Sequence, residues 1–234
     1  MHKKHKEILK LVKEKAGTNK LKFNKKRANY GGYNDPEYGL SKPEKRKVVK
    51  EWKEKNKSIS IEELINLIDS LFSGNSDDEK VIAAIMVEEH KKVKRAISPQ
   101  KIEEWFNNLK GWKQVDSLCQ SAFSAEDLLS NWKEWKETII NLSLSKNKNK
   151  KGASAVLLIR AVREKKDSRI ANLAFKILNN LKQNKDKLVA KANSWLLREM
   201  IKNYKKEVEK FIKENKKVLP SLVTREVSNK LKNN

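Results

Sequence analysis

The sequence predicts an all-α fold, organised as a HEAT-like helical-repeat superhelix, or α-α solenoid, of about twelve helices. Apolar residues recur at the 3.6-residue period along nearly the whole chain. The 234 residues include only 7 glycines and 4 prolines, which is few for a β-rich fold of this length. No helix can bury its apolar stripe alone, and helix pairs recur at roughly 40 residues, a spacing typical of HEAT-like arrays. The alternative is a globular helical bundle.

The first half of the chain reads as a series of capped amphipathic helices. Ser41 and Glu44 form a capping-box pattern, and Ser60 and Glu63 repeat it before a clean apolar stripe. Residues 17–40 contain turn signals and no helical period, so an irregular segment is expected there. The other helices expected in this half begin near Ile8, Asp77, Ser98 and Trp112.

The second half continues the same pattern with one expected interruption. Ser124, Ser168 and Asp186 precede amphipathic stretches and are predicted N-caps. Residues 147–152 alternate lysine with asparagine and are predicted to form a basic loop, followed by a buried helix over 155–162. The last helices contain Val208 and follow Pro220. We expect a single domain over residues 1–234, with a flexible basic N-terminus around 1–27.

The charge of the chain indicates a polyanionic partner. Lysine and arginine number 54 against 30 aspartates and glutamates, a net charge of +24 that is spread along the chain. A folded protein with this balance repels itself unless a polyanion neutralises it, so DNA or RNA is favoured over an anionic membrane. Lysine far outnumbers arginine, a bias that also fits an AT-rich genome, so part of this charge need not have a function.

Several classes of protein are disfavoured by what the sequence lacks. Cys119 is the only cysteine, which excludes a disulfide framework and a cysteine metal site. His2, His5 and His90 have no metal-ligand spacing, and neither a Gly-rich phosphate loop nor a nucleophile elbow is present. No apolar run approaches the roughly 20 residues of a membrane span, and no signal peptide follows the basic start. We expect a cytoplasmic monomer without metal or cofactor.

The candidate functional residues each allow two interpretations. Trp112 and Asp116 lie one helical turn apart on the same face, either as a core tryptophan with a solvated carboxylate or as a place where a cation is held. Trp195 is either a core residue or a second aromatic contact. The lysines of the predicted loop either are solvated or contact phosphates; they are Lys146, Lys148, Lys150 and Lys151. The tryptophans interpreted as core anchors are Trp52, Trp105, Trp132 and Trp135.

Four segments in collinear order carry a resemblance to a known family. They are Tyr38–Arg46, Gly111–Asp116, Lys191–Glu199 and Thr224–Val227. Together they resemble the AlkD-like DNA alkylation repair family, the HEAT-repeat alkylpurine DNA glycosylases, over roughly residues 28 to 231.

The resemblance implies a function and a set of site residues. The family excises cationic N3- and N7-alkylated purines from duplex DNA and does not depend on flipping the base into a pocket. Trp112 and Trp195 would flank the lesion-bearing deoxyribose, and Asp116 would stabilise the oxocarbenium-like sugar and position the attacking water. Arg198 and Arg225, with the four lysines named above, would contact the DNA.

One departure from the family pattern leaves the activity open. Lys151 and Gly152 stand where the family has a pair of arginines, and lysine lacks the planar fork with which arginine grips phosphate. The alternative is a non-catalytic member that binds damaged or branched DNA. A third hypothesis, a helical scaffold for RNA or an acidic protein, is supported only by the helical repetition and the charge.

Overall fold

The computed structural model describes residues 2–23, 25, 32 and 35–233, and these residues form an all-α fold, as predicted. Within the described ranges the β-structure consists of one isolated antiparallel bridge, between Lys22 and Glu37. Thirteen helices lie in those ranges: α1 (Lys3–Ala16), α2 (Lys42–Lys55), α3 (Ile61–Phe72), α4 (Asp77–Glu89), α5 (Lys91–Ala96), α6 (Pro99–Trp105), α7 (Gly111–Ala122), α8 (Ala125–Ser130), α9 (Trp132–Leu144), α10 (Lys148–Glu164), α11 (Ser168–Leu181), α12 (Lys187–Asn215) and α13 (Ser221–Lys232).

The helices divide into two compact units. The first unit spans residues 1–122 and contains α1 to α7, and the second spans residues 123–234 and contains α8 to α13. Each unit is described below by itself. The single domain expected from the sequence remains a prediction.

Helix α4 is the centre of the first unit. It packs against α2, α3 and α7, and every residue from Asp77 to Val87 is buried. A helix that is buried all round must also bury its charged first turn, so these charges require partners. Asp78 forms an ion pair with Lys45 at 2.7 Å, and Glu79 lies 2.7 Å from the Nε2 atom of His5. These buried pairs connect α4 to α2 and α1.

The N-terminal helix is longer and better packed than the sequence suggests. It begins at Lys3, and its residues Ile8 and Val12 are fully buried within the first unit. The alternation of lysine with apolar residues conceals this in the sequence. Residues 3–16 of the basic segment expected around 1–27 are thus helical, and the flexibility of that segment stays a prediction.

The predicted basic loop over 147–152 is wrong. Helix α10 begins at Lys148, because the Oδ1 atom of Asn147 accepts a hydrogen bond from the backbone of Asn149 at 2.8 Å and caps the first turn. Lysines near a helix N-terminus oppose the helix dipole, which is why the pattern suggested a loop. The buried run from Gly152 to Ile159 outweighs this local preference and makes the segment helical.

Most predicted helix starts are confirmed, with local differences. Ser41 and Glu44 form the complete capping box, and Asp186 caps α12. The cap of α11 is Asp167 rather than Ser168, because the Asp167 carboxylate accepts from the backbone of Arg169 at 2.9 Å. The helix expected after Ser124 is divided into α8 and α9, and α12 continues to Asn215 across a non-helical residue, Tyr204.

Three of the four tryptophans assigned to the core are buried there. Trp52, Trp105 and Trp135 are at most 5% exposed. Trp132 is only half-buried, and the guanidinium of Arg169 lies 5.9 Å from the centre of its ring. Its position in the first turn of α9 keeps its ring at the edge of the second unit's core.

None of the helices in the described part of the chain has the length and apolar character that crossing a membrane requires.

Candidate functional site

Helix α7 carries the first two candidate residues and begins at a constrained turn. Gly111 has a φ of 64°, in the left-handed region that favours glycine, so the chain enters the helix directly after α6 and its short connection. The backbone N–H of Lys110 donates to the Oε1 atom of Gln114 at 2.8 Å. This start places Trp112 and Asp116 in the first two turns of α7.

A buried polar network fixes the position of α7. The Nε2 atom of Gln114 donates to Asp35 at 3.0 Å and to Asp77 at 3.3 Å. Lys110 contacts Asp35 at 2.9 Å, and Lys113 forms an ion pair with Asp77. Burial acts to raise the pKa of Asp35, but hydrogen bonds from lysine and from Gln114 lower it overall. The carboxylate of Asp35 therefore remains charged, and Asp35 and Asp77 together hold the helix by several bonds.

Asp116 differs from its neighbours in the bonding of its carboxylate. It is half-buried and makes no hydrogen bond or ion pair in the described part of the chain. Burial raises its pKa to about 7, against an opposing attraction from Lys42. A partly buried carboxylate that is compensated only in part attracts a cation strongly, since low local dielectric enlarges the interaction.

Two other side chains on α7 define the surroundings of Asp116. Trp112 is half-buried, so it is neither a fully buried core residue nor a fully solvated one. Cys119 is fully buried, and burial together with the charge of Asp116 raises the pKa of its thiol well above the usual value. Cys119 therefore stays protonated, which disfavours it as a nucleophile.

Trp195 is half-buried on α12 in the second unit and is held by hydrogen bonding. Its indole N–H donates to the Oε1 atom of Glu199 at 3.1 Å, and the Oε2 atom of Glu199 accepts from Arg163 at 2.9 Å. Burial acts to raise the pKa of Glu199, but the bonds from Arg163 and Trp195 lower it overall. The interpretation of Trp195 as a fully buried core residue is excluded, although Leu196 beside it is buried.

The predicted DNA-binding residues all lie in the second unit. Lys146 and Lys148 are exposed near the start of α10, where Lys148 lies 3.9 Å from Asp186. Lys150 and Lys151 are half-buried in the first turn of α10. On α12 the guanidinium of Arg198 lies 3.7 Å from Glu226, and Arg225 is exposed on α13. Trp112 and Asp116 belong to the first unit.

Gly152 marks the position where the family pattern has an arginine. A Cβ atom added there would meet no atom within 4 Å, although the backbone of Gly152 is buried. The conformation of Gly152 is helical, so a side chain can be introduced without backbone strain. The absence of a side chain at this position is therefore not imposed by packing.

The residues that hold the candidate side chains were not predicted from the sequence. Trp195 and Glu199 are four apart on one helix, a spacing that by itself indicates a contact. Arg163 and Asp35 had no comparable signal, because each is far in sequence from the residue that it contacts. Within the described ranges no cluster of histidine, cysteine, aspartate and glutamate could hold a metal ion.

The comparisons with known proteins identify the family and agree with the fold. A family model described as "DNA alkylation repair enzyme" matches residues 14–231. The chain belongs to this DNA alkylation repair enzyme family. A solved structure described as a predicted DNA alkylation repair enzyme from Enterococcus faecalis has a TM-score of 0.68 and 20% identity, over 90% of this chain and 97% of that chain. At this identity the likeness shows a shared fold. No match was found among curated proteins.

Replacing Asp116 with asparagine is expected to stabilise the protein at alkaline pH. Burial raises the pKa of this carboxyl to about 7 from its usual 3.8, so the wild type loses stability as the pH rises from about 4 through 7. The variant has no ionisable carboxyl at this position, so it does not lose this stability. The free energy of unfolding of Asp116→Asn should equal that of the wild type at pH 4 and exceed it by roughly 1–2 kcal/mol at pH 8, after allowance for partial exposure. Urea unfolding at both pH values measures it.

The control for this experiment is Glu62→Gln, a matched acid-to-amide change on the exposed side of α3. It should shift the unfolding midpoint little at either pH. A stabilisation by Asp116→Asn that is equal at pH 4 and pH 8 would contradict the assignment of an uncompensated carboxylate.

Proposed function

We propose that this protein is a DNA glycosylase that excises cationic N3- and N7-alkylated purines from duplex DNA, as the first step of base excision repair. The observation that carries the proposal is the half-buried carboxylate of Asp116, which has no partner among the described residues and lies one turn from Trp112. Family membership supports a general role in DNA alkylation repair. The net charge of +24 supports duplex DNA as the partner, and a cytoplasmic location is expected.

The chemistry requires little of the protein besides a negative charge at the sugar. An alkylated purine is already a cation, so the base needs no general acid to leave. As the glycosidic bond breaks, its electron pair neutralises the purine, and positive charge develops on the deoxyribose. A carboxylate beside the sugar stabilises that charge. Water then forms the new bond at the anomeric carbon, and Asp116 accepts the proton that the water releases.

The pKa of Asp116 suits this second task. A general base transfers protons best when its pKa lies near the working pH, and burial raises the pKa of Asp116 to about 7. The proposal assigns Trp112 to the lesion-bearing nucleotide from its position on α7. It assigns Trp195, Arg198 and Arg225 to DNA from the family resemblance and from their partial or full exposure.

Asp116→Asn should remove most base release and leave DNA binding nearly intact. The carboxylate acts on charge that appears only in the transition state, so its loss lowers turnover more than affinity. The expected fall is about a hundredfold or more, equivalent to ~2.7–4 kcal/mol. Single-turnover release of 7-methylguanine from a duplex measures the rate, and Glu62→Gln is the control. A wild-type rate in Asp116→Asn would refute the role of this residue.

A second candidate function is DNA binding without excision. The substitution of the arginine pair by Lys151 and Gly152 favours it, because the bidentate grip on the backbone is absent. Such a protein would recognise damaged or branched DNA and would not release a base. The two candidates share the interface and differ in the reaction.

Gly152→Arg discriminates between the two candidates. A Cβ atom at this position meets nothing within 4 Å and the backbone is helical, so the variant should fold with a melting temperature close to that of the wild type. If the protein is a glycosylase weakened by the missing arginine, the variant should release 7-methylguanine about tenfold faster. Gly152→Gln is the matched control for added bulk. Base release from neither the wild type nor Gly152→Arg would leave DNA binding as the function.

A further inference from the structure

Two carboxylates of the second unit, Glu199 and Glu226, both bond to protein groups. Glu199 uses one oxygen for the indole N–H of Trp195, at 3.1 Å, and the other for Arg163, at 2.9 Å. Glu226 accepts from the hydroxyl of Ser194 at 2.5 Å and lies 3.7 Å from Arg198. Carboxylates at a DNA-binding surface repel phosphates unless cations offset their charge. The bonds made by Glu199 and Glu226 therefore indicate a structural role for these carboxylates within the protein.

The bridge through Glu199 joins two helices of the second unit. Trp195 and Glu199 are four residues apart on α12, whereas Arg163 lies in the last turn of α10. Without the bond from Arg163, the Glu199 side chain would retain several rotamers and would restrain the Trp195 ring weakly. The bond from Arg163 selects one of these rotamers, because it comes from outside α12 and occupies the second oxygen.

A half-buried tryptophan needs such a restraint. The torsion that rotates the indole about its bond to Cβ is broad, so packing on one side leaves more than one orientation accessible. The indole N–H is only a donor, and a charged carboxylate is a strong acceptor for it. Glu199 retains its charge, because the bonds from Arg163 and Trp195 lower its pKa overall.

We propose that Glu199, anchored by Arg163, is a positioning residue that fixes the orientation of the Trp195 ring for contact with DNA. This inference rests on the proposed function. It assigns no contact with DNA to Glu199 itself. The effect of Glu199 passes entirely through Trp195, which distinguishes positioning from a general contribution to stability.

The first test observes the ring directly and needs no activity. The six tryptophans give six indole N–H resonances, and Trp195→Phe identifies the one that belongs to Trp195. In Glu199→Met that resonance should move upfield and exchange faster with solvent, whereas Glu199→Gln, which keeps an acceptor oxygen, should largely preserve it. Glu214→Met removes the exposed ion pair with Lys210 on the same helix and should leave the resonance unchanged.

The second test measures single-turnover release of 7-methylguanine. Glu199→Met should lower the rate about tenfold, while the Kd for undamaged duplex changes by less than about twofold. In a Trp195→Phe background the same change should have no further effect, because the ring that Glu199 holds is already absent. Melting temperatures of all variants establish that they are folded.

The outcomes separate this inference from the proposed function. An unchanged Trp195 resonance in Glu199→Met overturns the positioning role, as does a further loss of rate in the Trp195→Phe background. If the wild type releases no alkylated purine, the proposed glycosylase function fails. The resonance of Trp195 then decides by itself whether Glu199 positions the ring.

Discussion

The burial of a carboxylate that makes no hydrogen bond or ion pair within the described part of the chain is the constraint on which the proposed site depends. Asp116 lies half-buried on α7, and the charge of Lys42 is too weak to restore its usual pKa. The other carboxylates near α7, Asp35 and Asp77, are bonded to lysine or to Gln114. These paired acids hold α7 in place, and in the proposed function Asp116 is the carboxylate that attracts positive charge on a bound nucleotide.

The proposed function gives the lysines and the carboxylate of Asp116 different tasks. The excess of lysine and arginine would attract duplex DNA as a whole, and that attraction is independent of sequence and lesion. The negative charge of Asp116 would favour a nucleotide that carries positive charge and disfavour phosphate. Under this proposal, discrimination of a cationic alkylpurine from a normal base follows from the local reversal of sign.

The sequence predicted the fold more completely than the site. Capping residues such as Ser41 and Asp186 act within a few residues of the backbone that they bind, so their patterns are legible in the sequence. The start of α10 was predicted as a loop, because its lysines oppose a helix locally, and the helix is determined by the burial of the residues that follow.

The sequence predicts candidate site residues together only where they are close to each other in the chain. Trp112 and Asp116 share one helical face, and their pairing follows from spacing alone. The contacts of Arg163 with Glu199 and of Asp35 with Gln114 join residues far apart in the chain, and no periodicity predicts such partners. The partly buried state of Asp116, and with it the rise in its pKa, also depends on packing that a single sequence does not display.

The pH dependence of base release tests the central role of Asp116 most directly. Single-turnover release of 7-methylguanine, corrected for spontaneous loss, should rise about tenfold per pH unit below pH 7 and level off above it, since only the ionised carboxylate acts. The control is Asp116→Asn, whose residual rate should not vary with pH over this range. A wild-type rate that is flat between pH 5 and pH 8 would contradict the account.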